Sequence, residues 1–191
     1  MTLVPRRTPR GQGAKLRVAA DEARIGAAQR RVLATAEEHG ATLQGFARRL
    51  GLDPEQAEDG AQEVFLRLYR ALLAGDEIVD ARAWSFRAIY RLAMDEHRLE
   101  IRVRGLRERL SGLIPSEPVA GPDHATRLSI WAAVDRLPGR QRQVLYLRYR
   151  ADMSFDEIAA LLGITAGGAR AIATMATDRL RMLIVAGEDA R

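Results

Sequence analysis

Cysteine is absent from the 191 residues. That excludes disulfides, thiolate metal sites and a cysteine nucleophile, and it fits a reducing cytosol. Lysine is nearly absent too: Lys15 stands alone among 30 basic side chains, and the rest are arginine. Arginine makes forked bonds to phosphate and guanine, although a GC-rich genome produces the same bias. No apolar run reaches the ~18 residues that span a bilayer. The start, MTLVPRRTPRGQGAK, has arginines but no apolar segment behind them, so no secretory signal is read, and Asp21 and Glu22 count against a transit peptide. The expected location is the cytoplasm.

Chemistry is missing as well. His39, His97 and His124 are isolated, without metal-ligand spacing. Gly167-Gly168 lacks the lysine that a phosphate-cradling loop needs. The neighbouring carboxylates Asp95/Glu96 and Asp156/Glu157 point different ways on a helix and make no acid/base pair. Neither an enzyme nor a cofactor is expected.

What is present is helix. From Asp53 to Gly75 the pattern is helical end to end: Asp53 as N-cap, Pro54 in the first position, Gln56 for a capping box and Gly75 as a stop. Ala57, Ala61, Val64, Phe65, Leu68 and Leu72 form its apolar stripe. Glu55, Glu58, Asp59, Gln62 and Glu63 crowd the first half of the polar side, with Arg67 and Arg70 in the second. This order complements the helix macrodipole, and it also makes an acidic partner-binding face.

The charge of the whole chain, +5, is concentrated at its start. Residues 1–31 hold eight basic side chains against two acidic ones, while the remainder is nearly balanced, 22 to 23. Residues 1–20 mix Pro, Gly and Arg without periodicity and read as a flexible basic tail, either a phosphate-binding arm or a solvated leader. Helical patterns follow from Asp21 to about Gly40, from Leu43 to Gly51, over the segment just described, and from about Arg82 to Arg104. No strand alternation or hairpin turn interrupts this half.

Residues 105–125 hold Pro115, Pro118, Gly121 and Pro122 and read as a linker. A second helical unit spans 126–186, leaving 187–191 as a tail. In it, Ser154 and Glu157 form a capping box, Gly163 suits a left-handed turn, and Thr165 caps the next helix: the helix-turn-helix pattern. The expected fold is all-α, two small helical domains joined by a Pro/Gly-containing linker.

Both halves together resemble the extracytoplasmic-function (ECF) sigma factors of bacterial RNA polymerase. AEDGAQEVFLRLY (Ala57–Tyr69) and AWSFRAIYRLAMDEHR (Ala83–Arg98) are similar to that family's region 2, and LPGRQRQVLYLRYRADMSFDEIAALLGITAGGAR (Leu137–Arg170) to its region 4. The likeness covers about residues 26–104 and 126–185, in the right order. It implies an alternative sigma factor. Glu58, Asp59, Gln62, Glu63 and Arg67 would dock on the clamp of the polymerase largest subunit. The loop from Gly75 to Ala81 and the helix after it would melt the minus-ten element and hold a flipped base, through Asp76, Arg82, Trp84, Arg87, Tyr90, Arg91 and Arg98. Trp84, Phe86 and Tyr90 would be available to stack on bases, although core packing is the better reading of Trp84. Arg148, Thr165, Gly167, Gly168, Arg170 and Thr174 would meet the minus-thirty-five duplex, with the second domain on the flap tip. An anti-sigma protein is a further implied partner, beside core RNA polymerase and promoter DNA.

The departures are specific. Gly60 stands where the family has leucine, and Arg91 where it often has asparagine. Ile172, Met175 and Thr177 occupy recognition-helix positions often held by arginine, leaving Arg170 as the one obvious guanine or phosphate reader. Either the minus-thirty-five sequence is unusual, or the domain relies on Arg140, Arg142, Arg148 and Arg150. Two other functions fit these residues: a degenerate polymerase-binding adaptor without promoter reading, and a stand-alone helix-turn-helix regulator.

Overall fold

The computed structural model describes residues 10–111 and 130–188 of the protein. Three helices make the first half, α1 (Arg10–Arg49), α2 (Pro54–Ala74) and α3 (Ala81–Ser111). Four make the second, α4 (Ile130–Asp135), α5 (Gly139–Tyr149), α6 (Phe155–Leu162) and α7 (Ala166–Glu188). Every element among the described residues is helical.

α2 forms for the local reasons its sequence states. Asp53 accepts from the Gln56 amide, Gln56 bonds back to the Asp53 amide, and Gly75 ends the helix at φ 92°. Ala57, Gly60, Ala61, Val64 and Leu68 turn inward against α1 and α3. Gly60 is a point of close approach. A Cβ there would sit 3.0 Å from Ile89 Cδ1 and 3.5 Å from Leu92 Cδ2, so glycine lets α2 and α3 close on each other.

α1 departs from expectation. A helical break was read near Gly40, and residues 1–20 as a flexible tail; instead one helix runs from Arg10 through Gly40 and Gly45 to Arg49. The earlier part of that tail, residues 1–9, lies outside the described residues. The reason is register. Buried Ala28, Thr35, Leu43, Phe46 and Ala47 lie on one continuous stripe. Its burial outweighs the ~1 kcal/mol that an interior glycine costs a helix relative to alanine. α3 likewise runs seven residues beyond Arg104, into the segment read as linker; the prolines of that segment lie outside the described residues.

In the second half, α6, its turn and α7 form the helix-turn-helix. Ser154 and Glu157 make the expected capping box, Gly163 turns the chain at φ 65°, and Ile164 packs on the core. Ala169, Ala173, Ala176 and Leu180 face inward from α7, with Ile172 and Leu183 partly buried beside them. The two halves are not separate in this structure. α5 lies against α1 and α6 against α3, and one apolar core runs through both.

Replacing Gly60 with the leucine usual in the family should force α2 and α3 apart and cost about 1–3 kcal/mol, the usual scale of overpacking. Gly60→Ala, with better helix propensity and only the tip of Ile89 to displace, should stay within about 1 kcal/mol of the parent. Urea unfolding monitored by circular dichroism measures both.

Candidate nucleic-acid and polymerase interface

On α2, Glu58, Asp59, Gln62 and Arg67 are exposed and Glu63 is half-buried, so the residues predicted to dock on polymerase share one face. Glu63 and Arg67 pair at 2.7 Å, one turn apart. Leu66 lies between them, 50% exposed, an apolar contact that the charge pattern concealed. An apolar side chain ringed by charges has the make-up of a protein-binding spot.

The residues predicted to meet the minus-ten element divide. Asp76, Arg91 and Arg98 are exposed, and Arg98 pairs with Asp95 at 3.1 Å. Arg87 is half-buried, and Trp84 and Tyr90 pack on the core with part of each ring outside. Phe86, read as available for stacking, is fully buried against Phe46 at 5.6 Å between ring centres and cannot reach a base. It is a core residue, in helical register with buried Ala83, Ile89 and Ala93.

Arg82 has a different employment. It donates to the carbonyls of Ala151 (3.0 Å) and Asp152 (2.6 Å) in the turn after α5, and pairs with Glu157 at 3.1 Å on α6. Asp152 sits at φ 49°, the one non-glycine in the left-handed region among the described residues, a conformation that aspartate tolerates better than most. Asp80 completes the cluster: it caps α3 through the Ala83 amide at 2.9 Å and lies 3.3 Å from Arg82. Burial raises the Asp80 pKa, but the Ala83 hydrogen bond and the Arg82 charge more than offset it, so the carboxyl stays below its ordinary value. Between the loop before α3 and the turn after α5 lies an open hollow of about 680 Å³, lined by Arg31, Val79, Asp80 and Arg82 from one half and Arg150 to Asp152 from the other.

A second contact joins the halves through Tyr146 of α5. Its ring stacks on Phe46 at 6.1 Å, meets the edge of Trp131 at 5.7 Å, and lies 4.4 Å under the Arg49 guanidinium. Its hydroxyl donates to the Thr42 carbonyl at 2.9 Å. Gly45 makes this possible, since a Cβ there would run into Tyr146 Oη and come within 3.2 Å of Cζ. Arg49 also reaches Asp135, at 3.0 Å. Burial pushes the Tyr146 hydroxyl above its ordinary pKa, against the opposing charges of Arg49, Arg150 and Arg48.

On the recognition helix α7, Thr165 caps through the Gly168 amide at 3.0 Å, and Gly167, Arg170 and Thr174 are exposed. With the Gly168 and Ala169 amides bonded to Thr165, the Ala166 and Gly167 amides at the start of the helix are the ones that suit a phosphate. Arg170 and Arg148 both approach the Phe155 ring, at 5.5 and 5.4 Å, within cation–π range. Of the arginines read as substitutes for the missing basic residues, Arg140, Arg142 and Arg148 donate to the carbonyls of Leu162, Asp135 and Met153. Arg150 lies over Trp131 at 5.5 Å. Their first use is inside the fold. Met175, 53% exposed, leaves an apolar spot on the same helix.

Comparison with known proteins fits this arrangement. Residues 35–102 match the family model "Sigma-70 region 2" and residues 133–182 match "Sigma-70, region 4", the two halves of a sigma-70-type initiation factor in chain order. The ECF RNA polymerase sigma factor SigL of Mycobacterium tuberculosis is 31% identical over 159 residues, spanning 78% of this chain and 85% of its own. The sigma-E factor of Streptomyces coelicolor is 36% identical over 149 residues, spanning 76% and 81%. Two solved structures share the fold. One is the sigma factor RpoE with the anti-sigma factor NepR from Bartonella quintana, at TM-score 0.56 and 21% identity over 82% of this chain and 95% of that one. The other is CnrH with the cytosolic domain of CnrY, at TM-score 0.53 and 23% identity over 87% and 98%.

The chain belongs to the ECF family of RNA polymerase sigma factors. It is a promoter-specific transcription initiation factor that works with RNA polymerase and promoter DNA and has no catalytic chemistry of its own. No single helix among the described residues is long and apolar enough to cross a membrane.

Two measurements test the contact between the halves. Gly45→Ala should raise helix content, since alanine is favoured over glycine by ~1 kcal/mol, and yet separate the halves, seen as a larger radius of gyration in X-ray scattering. The Tyr146 hydroxyl, with its pKa raised above 10.0, supports closure fully below that pH and loses this support as pH climbs through the raised value. Scattering above pH 10 should therefore show opening in the parent, with Tyr146→Phe more open at neutral pH and insensitive to this change.

Proposed function

We propose that this sigma factor docks on the polymerase clamp through the α2 face of Glu58, Asp59, Gln62, Glu63, Leu66 and Arg67. The loop before α3, with Asp76, and the α3 face of Arg87, Tyr90, Arg91 and Arg98 then meet the minus-ten element. The helix-turn-helix contacts the minus-thirty-five duplex through Thr165, Gly167, Gly168, Arg170 and Thr174, with Arg148 beside them. The observation that carries this reading is the α2 face itself: acidic first, basic after, with Leu66 half-exposed at its centre and Glu58, Asp59, Gln62 and Arg67 exposed around it.

The closed arrangement is a resting form. Arg82 serves the second half while the halves are closed and becomes available to DNA only when they part. An anti-sigma protein that favours the closed arrangement would hold the factor inactive; one of the similar structures is a sigma factor in complex with an anti-sigma factor. The place of action is the cytoplasm, where polymerase and promoters meet. The domain division proposed is a first unit ending with α3, a linker that holds Pro115, Pro118 and Pro122, and a second unit from about Thr126.

One observation favours a second reading, a polymerase-binding adaptor: the recognition helix is poor in arginine, and neighbouring arginines are engaged within the fold. Transcription in vitro with purified core polymerase separates the two. The sigma reading requires promoter-dependent transcripts, whereas an adaptor binds polymerase without them. In the same assay, Asp59→Lys with Glu63→Lys should weaken polymerase binding at least about tenfold, the equivalent of ~1.4 kcal/mol. Unchanged association would overturn the assignment of the α2 face.

A further inference from the structure

The side chain of Arg31 has no place in the sites assigned so far. By sequence it belongs to the basic N-terminal cluster. In the structure it is half-buried on α1 and reaches 47 residues along the chain, where one guanidinium nitrogen, Nη2, donates to the carbonyls of both Ile78 and Val79. Its own backbone carbonyl accepts from Thr35 Oγ1 at 2.7 Å, on a buried threonine one turn further along α1.

The segment it grips has no repeating hydrogen-bond pattern of its own. Gly75 ends α2, the Asp76 amide bonds back to Ala71 at 3.1 Å, and the Ile78 amide closes a tight turn onto Asp76 at 3.0 Å. Ile78 is then 8% exposed and Val79 96% exposed, so the chain plunges into the core and surfaces again within one residue. Successive carbonyls of an extended chain point to opposite sides. Two consecutive carbonyls can meet one nitrogen only if the backbone bends between them, with Val79 at the crest. Asp80 then begins α3 with a cap of its own. The loop is thus tied at its entrance by Gly75, at its exit by Asp80, and at its tip by the burial of Ile78 and by Arg31, the one side chain among the described residues that donates to the Ile78 and Val79 carbonyls.

We propose that Arg31 is a positioning residue for promoter opening, holding the tip of the loop before α3 in the bent form that receives the displaced DNA strand. The proposal rests on the minus-ten role assigned to this loop above. Arg31 touches no DNA. It acts by keeping Val79 and the neighbouring backbone in place before the strand arrives, so that capture does not have to order the loop at the same moment. Lysine carries three donors on its ammonium, but its shorter side chain ends short of where the Arg31 Nη2 lies, so it holds the two carbonyls less closely.

The test uses the full chain, core polymerase and a pool of duplex DNA fragments randomised over the upstream promoter region, with the transcribed templates sequenced. The parent should enrich two sequence blocks. Arg31→Ala should keep the upstream block, its polymerase affinity and its thermal midpoint, yet lose base preference in the downstream block and open the selected promoter about tenfold more slowly. Arg31→Lys should fall between. An Arg31→Ala protein that retains the downstream preference and the opening rate overturns the proposal. So does one that loses polymerase affinity and thermal stability together, which would make Arg31 a support of the whole domain. If the parent enriches no downstream block, the promoter role of the loop fails first, and the inference with it.

Discussion

Everything about the arrangement of this protein turns on how closely Tyr146 can approach α1. The ring lies over a glycine and against a phenylalanine, and its hydroxyl finds a main-chain carbonyl that a larger residue at position 45 would block. Aromatic contacts of this kind contribute about 0.5–1.5 kcal/mol beyond burial, and a net hydrogen bond about as much. With the Arg49 guanidinium above the ring and Arg82 clasping the turn after α5, the two halves share one core. These are modest energies. A partner that binds one half better when it is free can overcome them.

Arginine does more inside this fold than its position in the sequence suggests. Arg31, Arg82, Arg140, Arg142 and Arg148 all donate to backbone carbonyls at turns or helix ends, where the chain cannot supply its own partners. The planar, forked guanidinium suits this because it satisfies several acceptors at once, as where Arg82 meets the Ala151 and Asp152 carbonyls through Nη1 and Glu157 through Nη2. A family resemblance offers several of these side chains to DNA. The structure assigns them first to holding turns in shape, which leaves the recognition helix with Arg170 resting near Phe155 as its clearest basic contact.

Local signals carried far in some places and failed in others. α2 was legible from cap to cap, because Asp53, Gln56 and Gly75 act on neighbours within four residues. The helix-turn-helix was legible for the same reason, through Ser154, Glu157 and Gly163. Gly40 misled, since a glycine that elsewhere ends a helix here lies inside one whose buried stripe continues past it. Phe86 misled because its inward direction depends on where Phe46 lies, 40 residues earlier. On the α2 face the charged residues were legible and Leu66 was not, since a lone leucine among charges carries no periodic signal.

The amino-acid order by itself determined the helical class, the caps and stripes of most helices, the glycine turn before α7 and the family likeness. These depend on residues a few positions apart, whose geometry the backbone dictates. Tertiary structure alone decided that the halves close on each other, that Gly45 and Gly60 are points of contact between helices, and that Arg31 and Arg82 serve distant carbonyls. Those contacts join residues 29 to 104 positions apart. Such partners are chosen by shape and by unsatisfied polar groups in three dimensions, and neither is written in the spacing of a single chain.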